Sequence, residues 1–508
     1  MKTRAKKPVG LKAISLFSGI GGLDFGFEEA GFETRVALEY DRHACATMRL
    51  NRDWEIIEDD INKVASKDLL ARAGLKVGEA DVLIGGPPCQ PFSKSGYWVK
   101  GDAARLDDPR ANTLLGYLRI LHDTRPRAFL LENVYGLAYE SKNEGLKFLL
   151  EGIALINRTA GTNYNVIWKV INCAEHGVPQ IRERVFMIGS RDGRAFQFPE
   201  PRFAHPKGLQ DDLFSAGEPF RTAWDALGDL PEPNDLTGLI VGGKWGDLLP
   251  TIPEGQNYLW HTDRGGGRPL FGWRTRYWSF LLKLSKRQPS WTVQAQPGAA
   301  IGPFHWKNRR LTFQEMCRIQ TFPDGLSIDC GRTEMQRQLG NAVPSLIAEI
   351  LARAIRAQLL DRPIKTELKL LPPKRDPMPP PEKVARLPSK YRKYVGDHAP
   401  HPGEGKGLMA MWVSSSCSPI TRSSVSPHSA AAVAPCRRPA GCWHGRPRTA
   451  RRRCAGRRPR GSPSRVAGCS SNPSIFRRIR AGTAGEPPNH VHTGLGRPRC
   501  GRACGGLH

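Results

Sequence analysis

Over the first 190 residues, short apolar runs alternate with stretches of helical spacing. KAISLF (12–17), TRVALE (34–39), EIIED (55–59), ADVLIG (80–85) and RAFLLE (127–132) read as strands, followed by YNVIWKVIN (164–172) and RVFMIGS (184–190). Gly22 to Ala30, Arg42 to Leu50 and Asn112 to Thr124 read as helices. Alternation of this kind predicts an α/β fold with a parallel, doubly wound sheet and helices on both faces. From about Arg191 to Asn308 the periodicity fades into Gly, Pro, Trp and Arg, which predicts a smaller, irregular inserted domain. Helical spacing returns at Thr312–Gln320 and Pro344–Leu359, where Pro344 suits a first helical turn.

Beyond Arg362 the pattern stops. LPPKRDPMPPPEK (371–383) reads as a linker, and the chain past about Gly407 lacks the apolar residues to bury a core and is expected to be disordered. Residues 401–508 hold 18 Arg, 1 Lys and two acids, so they carry +17 of the formal net charge of +28. The Arg bias of that tail is unlike the body and suggests a GC-rich stretch read in another frame. A moderately basic body fits a polyanionic partner.

Five of the 12 cysteines precede residue 401, at wide and irregular spacing, which suggests free thiols in a reducing compartment. Pairs such as Cys436 and Cys442, or Cys500 and Cys504, do not match zinc-site spacing, so no metal is expected. No apolar run is long enough for a signal peptide or a membrane span.

Candidate chemistry sits where strands end. FSGIGGLDFGF (17–27) is a Gly-rich turn between a strand and a helix, able to approach a ligand closely. It is not the dinucleotide fingerprint, because Asp24 stands where a third Gly belongs. Glu39 ends the second strand about 20 residues after Gly19, placed to accept from ribose hydroxyls, and Asp60 follows the third, placed to meet an adenine amino group. Together they point to an adenosine-containing ligand. GGPPCQPFSKSG (85–96) sets a thiol, Cys89, between prolines on a loop after a strand, a positioned sulfur rather than a packed one.

These segments resemble the DNA cytosine-5 methyltransferase family, and later segments agree in order: LLENV (130–134), PQIRERVFMIG (179–189), RRLTFQEMCRIQTFPD (309–324) and QLGNAVP (338–344). The resemblance covers about residues 11–360. It implies a Rossmann-like sheet binding S-adenosylmethionine, with catalytic parts at 1–190 and 309–362 and a target-recognition domain at 191–308; linker and tail occupy 363–508. It makes Cys89 the nucleophile on C6 of cytosine, Glu132 the partner of N3 and the exocyclic amine, and Arg184 the holder of O2. Arg182 would support the loop or that contact, and Asn133 would fix the Pro-Cys loop. Cofactor contacts fall on Phe17, Ser18, Gly19, Gly21, Gly22, Glu39, Tyr40, Asp60, Ile61, Pro87 and Asn341.

Specificity is expected from 191–308, where Arg264, Arg268, Arg274 and Arg276 mix with Trp273, Tyr277 and Trp278. The implied substrate is double-stranded DNA with a flipped cytosine, acted on by a monomer in the bacterial cytoplasm near the nucleoid, within a restriction-modification system. An RNA cytosine-5 methyltransferase and a catalytically inactive DNA-binding module remain the competing readings.

Overall fold

The structure, a computed structural model, describes residues 10–88, 112–138, 144–205, 217–273, 277–396 and 398. Seven strands form one sheet: β1 (Leu11–Leu16), β2 (Phe32–Glu39), β3 (Ile56–Glu58), β4 (Val82–Gly85), β5 (Ala128–Val134), β6 (Asn165–Asn172) and β7 (Glu183–Ser190), in spatial order β3-β2-β1-β4-β5-β7-β6. The strands expected from the apolar runs are all present. The sheet is mixed rather than parallel, because β7 runs antiparallel to both β5 and β6. The reason lies in the connection. Only ten residues (173–182) separate β6 from β7, and a parallel crossover needs about a dozen or more, usually with a helix.

Alternation along each strand sends successive side chains to opposite layers. Val82, Ile84, Ala128, Leu130, Phe186 and Ile188 join one core, and Leu83, Phe129, Leu131 and Met187 join the other. The second layer is covered by α3 (Ser66–Ala73), α4 (Asn112–Thr124) and α5 (Glu144–Ala160). The sequence reading assigns no element to α3 or α5, although Leu146, Leu149, Ile153, Ile156 and Ala160 of α5 form a buried stripe at helical spacing. Helix α2 (Arg42–Asn51) follows β2 and is capped by Asp41, whose side chain accepts from Ala44 N.

The first core is covered by α1 (Gly22–Glu29) and by the last helix of the body, α8 (Ser345–Gln358). Before it come α6 (Phe313–Ile319), opened by a Thr312–Glu315 capping box, and α7 (Arg332–Asn341). Pro344 sits at the N-cap of α8 rather than inside its first turn. Helices α1 and α8 touch along glycine: a Cβ on Gly26 would overlap the Ser345 carbonyl oxygen and lie 2.6 Å from Glu349 N. Ala gains about 1 kcal/mol over Gly in a helix. Here the obstacle is backbone, which cannot swing aside, and overpacking costs about 1–3 kcal/mol or more. Gly26→Ala is therefore expected to lower Tm, and an unchanged or raised Tm would count against this close packing.

The region between β7 and α6 has little regular structure. It contains a short helix at Ala223–Leu227, packed with Leu311 and Met316, and tight turns at Gly246–Thr251 and Tyr258–His261, built on a cluster that includes Leu248, Leu249, Tyr258, Leu281 and Phe304.

The segment read as a linker is corrected by the structure between 363 and 396. Lys369 N and Leu370 N each donate to the fully buried Glu349 at 3.0 Å, and Leu368, Leu370 and Leu371 pack on the core beneath α8. Further on, Arg375 N donates to Asp225 (2.9 Å), and Glu382 shares the buried Lys286 ammonium (3.1 Å) with Glu254 (2.5 Å). Tyr391 is 2% exposed and belongs to the cluster of the irregular region. The prolines lower the entropy cost of holding this strap extended.

Candidate active site

Strands β1, β2, β4 and β5 are mutually parallel in order, so their last residues all arrive at one edge of the sheet. The β1–α1 turn uses left-handed backbone at Phe17 (φ 53°), Gly19 (φ 57°) and Gly21 (φ 86°). For Phe17 that conformation costs of order 1–3 kcal/mol, and the hydrogen bond from Phe17 N to Leu38 O (2.8 Å) holds it in place. Beneath the turn, Asp24 is fully buried and accepts from Ser15 Oγ and Thr34 Oγ1, each at 3.0 Å. Burial pushes its carboxyl up to about 6. The residue that breaks the dinucleotide fingerprint thus braces β1 against β2 from inside.

At the rim, Glu39 accepts from Gly19 N and Asp41 N, both at 2.8 Å, and burial raises its pKa above the ordinary value against the pull of those amides. Each carboxylate oxygen keeps a second lone pair. Tyr40 beside it is 75% exposed, and Asp60 Oδ1 accepts from Asn62 N (2.9 Å).

The loop after β4 is pinned from both sides. Asn133 Nδ2 donates to Pro87 O (3.1 Å) and Thr113 Oγ1 donates to Pro88 O (3.1 Å). A Cβ on Gly86 would lie 2.9 Å from Glu132 Oε2 and press on that carboxylate. Cys89, the next residue after Pro88, lies outside the described residues. Glu132 itself is buried and pairs with Arg184, Nε to Oε1 at 2.9 Å. Burial raises its pKa above the ordinary value, while Arg184 and then Arg182 pull it back.

Arg182 and Arg184 part company. Arg182 is completely buried and donates to Gly340 O (2.9 Å), Ala342 O (2.8 Å) and Val293 O (3.4 Å), with burial pushing it down to about 9. It ties three remote segments together and makes no bond to the loop after β4 among the described residues. The four described thiols, Cys45, Cys173, Cys317 and Cys330, all have raised pKa values, with burial the largest cause.

One cleft of about 1710 Å³ opens at this edge of the sheet, larger than the roughly 300–1,000 Å³ of a pocket for one small ligand. Phe17, Ser18, Gly19, Gly22, Glu39, Tyr40, Asp60, Ile61, Pro87 and Asn341 line one part of it, and Glu132, Asn133, Arg182 and Arg184 line another. Gly21 does not line it; a Cβ there would meet Trp54 at 2.8 Å. Two carboxylates at strand ends, an exposed aromatic ring and a glycine turn suit a nucleoside with a ribose diol, so this half of the cleft fits an adenosine-type cofactor.

The sequence reading missed a further part of the lining, Trp291 to Gln296. It is placed by Ser290–Trp291 pairing in parallel with Gln180–Ile181 and by Val293 N donating to Gln180 Oε1 (3.2 Å). The pattern SWTVQAQ (290–296) is the only local signal for it. In the irregular region, Arg264 lies over Trp273 (4.9 Å), Tyr277 is exposed, and Trp278 packs edge-on against Trp291 (5.4 Å). The carbonyl oxygen of Arg268 faces His261 Nδ1 (3.0 Å), while Arg274 and Arg276 lie outside the described residues.

Among the described residues no helix is long and apolar enough to cross a membrane, and no group of three or more His, Cys, Asp or Glu side chains is placed to hold a metal ion.

Comparison with known proteins agrees with this geometry. Residues 11–357 match the family described as C-5 cytosine-specific DNA methylase. The chain is 41% identical over 372 residues to the type II methyltransferase M.SacI of Streptomyces achromogenes, covering 69% of this chain and 93% of that one. It is 32% identical to M.NgoFVII of Neisseria gonorrhoeae, covering 72% and 91%. A solved prophage-encoded DNA modification methyltransferase from E. coli shares the fold at a TM-score of 0.50 and 22% identity, covering 69% of this chain and all of that one.

Proposed function

This chain belongs to the C-5 cytosine-specific DNA methylase family, and on that premise we propose that it moves a methyl group from S-adenosylmethionine to C5 of a cytosine flipped out of a specific duplex sequence. It is a DNA cytosine-5 methyltransferase of the type II restriction-modification kind. The observation that carries the site assignment is the buried Glu132–Arg184 pair (2.9 Å) beside the pinned start of the Pro-Pro-Cys loop.

The cofactor contacts would fall to the glycine turn, Glu39 for the ribose diol, Tyr40, Asp60 and Ile61 for the adenine, with Pro87 and Asn341 closing the cleft. When bound, S-adenosylmethionine supplies an electrophilic methyl group. Everything else falls to side chains. Cytosine C5 is a poor nucleophile, and the Cys89 thiolate adding to C6 gives it enamine character. Glu132, whose pKa burial raises, would supply a proton to N3 and accept from the exocyclic amine, so the ring accepts the sulfur's electron pair. Arg184 holds O2 while remaining paired with Glu132. Asn133 keeps the loop in place through Pro87 O. Once C5 carries four substituents, a base such as water takes its proton, the C5–H electrons expel the Cys89 thiolate from C6, and N3 returns its proton to Glu132, which restores the aromatic ring. The flip that admits the base costs a few kcal/mol.

Sequence reading would fall to the irregular region between β7 and α6, with Arg264 and Tyr277 as exposed candidates. The enzyme would act as a monomer in the bacterial cytoplasm. The test is incubation of the intact protein with unmethylated duplex and methyl-labelled S-adenosylmethionine, followed by sequencing for 5-methylcytosine. Label is expected at one cytosine of a fixed sequence context. Label appearing in transfer RNA instead, or none in duplex DNA, would overturn the proposal.

A further inference from the structure

The strap that follows the family's matched region ends in a cluster of positive charge. From Lys383 to Tyr394 the chain holds Lys383, Arg386, Lys390, Arg392 and Lys393 and no acid. The turn at Ser389–Tyr394 is fixed by its buried ring, since Tyr391 stacks on Trp245 (5.6 Å, 20°) and its hydroxyl donates to Lys244 O (2.8 Å). Backbone bonds from Ala385 N to Pro250 O (2.9 Å) and from Gly396 N to Pro269 O (3.2 Å) hold the strap at both sides of that turn.

Lys244, Lys390, Arg392 and Lys393 are exposed on this platform. Lys390 pairs with Asp247. Lys244, Arg392 and Lys393 meet no carboxylate among the described residues. Lys244 instead lies over the rings of Trp245 (4.6 Å) and Tyr394 (4.7 Å), and Lys393 over Tyr394 (5.3 Å). Lys244 and Lys393 both gather on the Tyr394 ring, with Arg392 beside Lys393 on the same turn, and like charges held on one rigid base are stabilised when a polyanion is bound. The same hydrophobic cluster contains Trp260, Phe271 and Trp273, next to the loop that carries Arg264.

We propose that Lys244, Arg392 and Lys393 form a phosphate-contact surface for the duplex flanking the target site, so that the strap extends the DNA interface beyond the family's own residues. The inference rests on the functional reading above. Contacts to phosphates position a protein without reading bases, and each one releases counterions, adding about 0.9 to the slope of log affinity against log salt.

The test compares the full-length protein with a Lys244→Ala/Arg392→Ala/Lys393→Ala variant in salt titrations on a duplex carrying the methylated sequence and on an unrelated duplex. The variant is expected to show a slope shallower by about 2–3, with weaker binding to both duplexes. Its Tm and its turnover at saturating DNA should be unchanged. Lys244→Arg/Lys393→Arg should keep the wild-type slope. The 18 arginines beyond His401 are common to all three proteins and cancel. An unchanged slope in an enzyme that still methylates duplex DNA overturns the phosphate surface and leaves the functional reading standing. So does a loss confined to the methylated sequence. A wild-type protein that neither binds nor methylates duplex DNA overturns both.

Discussion

Cys89→Ala is expected to leave a folded protein that binds duplex DNA and transfers no measurable methyl group. The uncatalysed alternative is direct attack by an aromatic carbon, so losing the sulfur removes the step that makes C5 reactive. In a serine protease, removing the covalent nucleophile costs on the order of 10⁶-fold in turnover, and a loss of that order is expected here. None of the four described thiols lines the cleft to substitute for it. Cys173 is fully buried behind the Glu132–Arg184 pair and held protonated, its pKa pushed up to about 12, and Cys45 is pushed up to about 12 as well. The measurement is methyl transfer from labelled cofactor, with DNA titration and thermal unfolding as controls. A second readout uses duplex containing 5-fluorocytosine, on which the wild type should become covalently joined through Cys89, because fluorine cannot leave as the proton does. Residual turnover in the variant, or an adduct at another residue, would remove Cys89 from the mechanism.

Glu132→Gln should lower kcat by about 10²–10⁴-fold, the usual contribution of a positioned proton donor, with little change in DNA affinity. Gln keeps the size of the side chain and an N–H for the base, but it has no proton to give. The pH dependence separates this role from a structural one. Burial raises the Glu132 pKa above the ordinary carboxylate value, so the competent protonated form persists to higher pH than an exposed Glu allows. Activity that depends on it falls as pH rises through that raised pKa. The variant should lose that limb of the profile. It also leaves the half-buried Arg184 without its carboxylate partner, so Tm should be followed in parallel. A variant with unchanged kcat and an unchanged profile would show that Glu132 handles no proton.

Much of this was legible in the sequence because the chemistry sits where strands stop. An apolar run followed at once by Glu39, by Gly86–Pro88 or by Glu132 marks both the strand and the edge to which it delivers a side chain. The strap was not legible. Its prolines and lysines dominate its composition, while the few residues that dock it, Leu368, Leu370, Leu371 and Tyr391, are scattered among them. Arg182 was recognised as belonging to the site, but its partners lie 111 to 160 residues away, and no local pattern encodes such a pairing. The wall at Trp291–Gln296 was missed for the same reason.

The single reversed strand has a consequence for how the catalytic pair is assembled. In register, Arg184 stands opposite Val134 and Ser190 opposite Ala128. Were β7 to run the other way in the same place, Arg184 would fall beside Ala128, about 20 Å down the sheet at roughly 3.3 Å per residue, at the end remote from the cleft. A guanidinium at the beginning of a strand reaches a carboxylate near the end of its neighbour only when the two chains travel in opposite directions. The hairpin-like return from β6 therefore decides which charges meet, and a change in its length would separate acid from base without altering either residue.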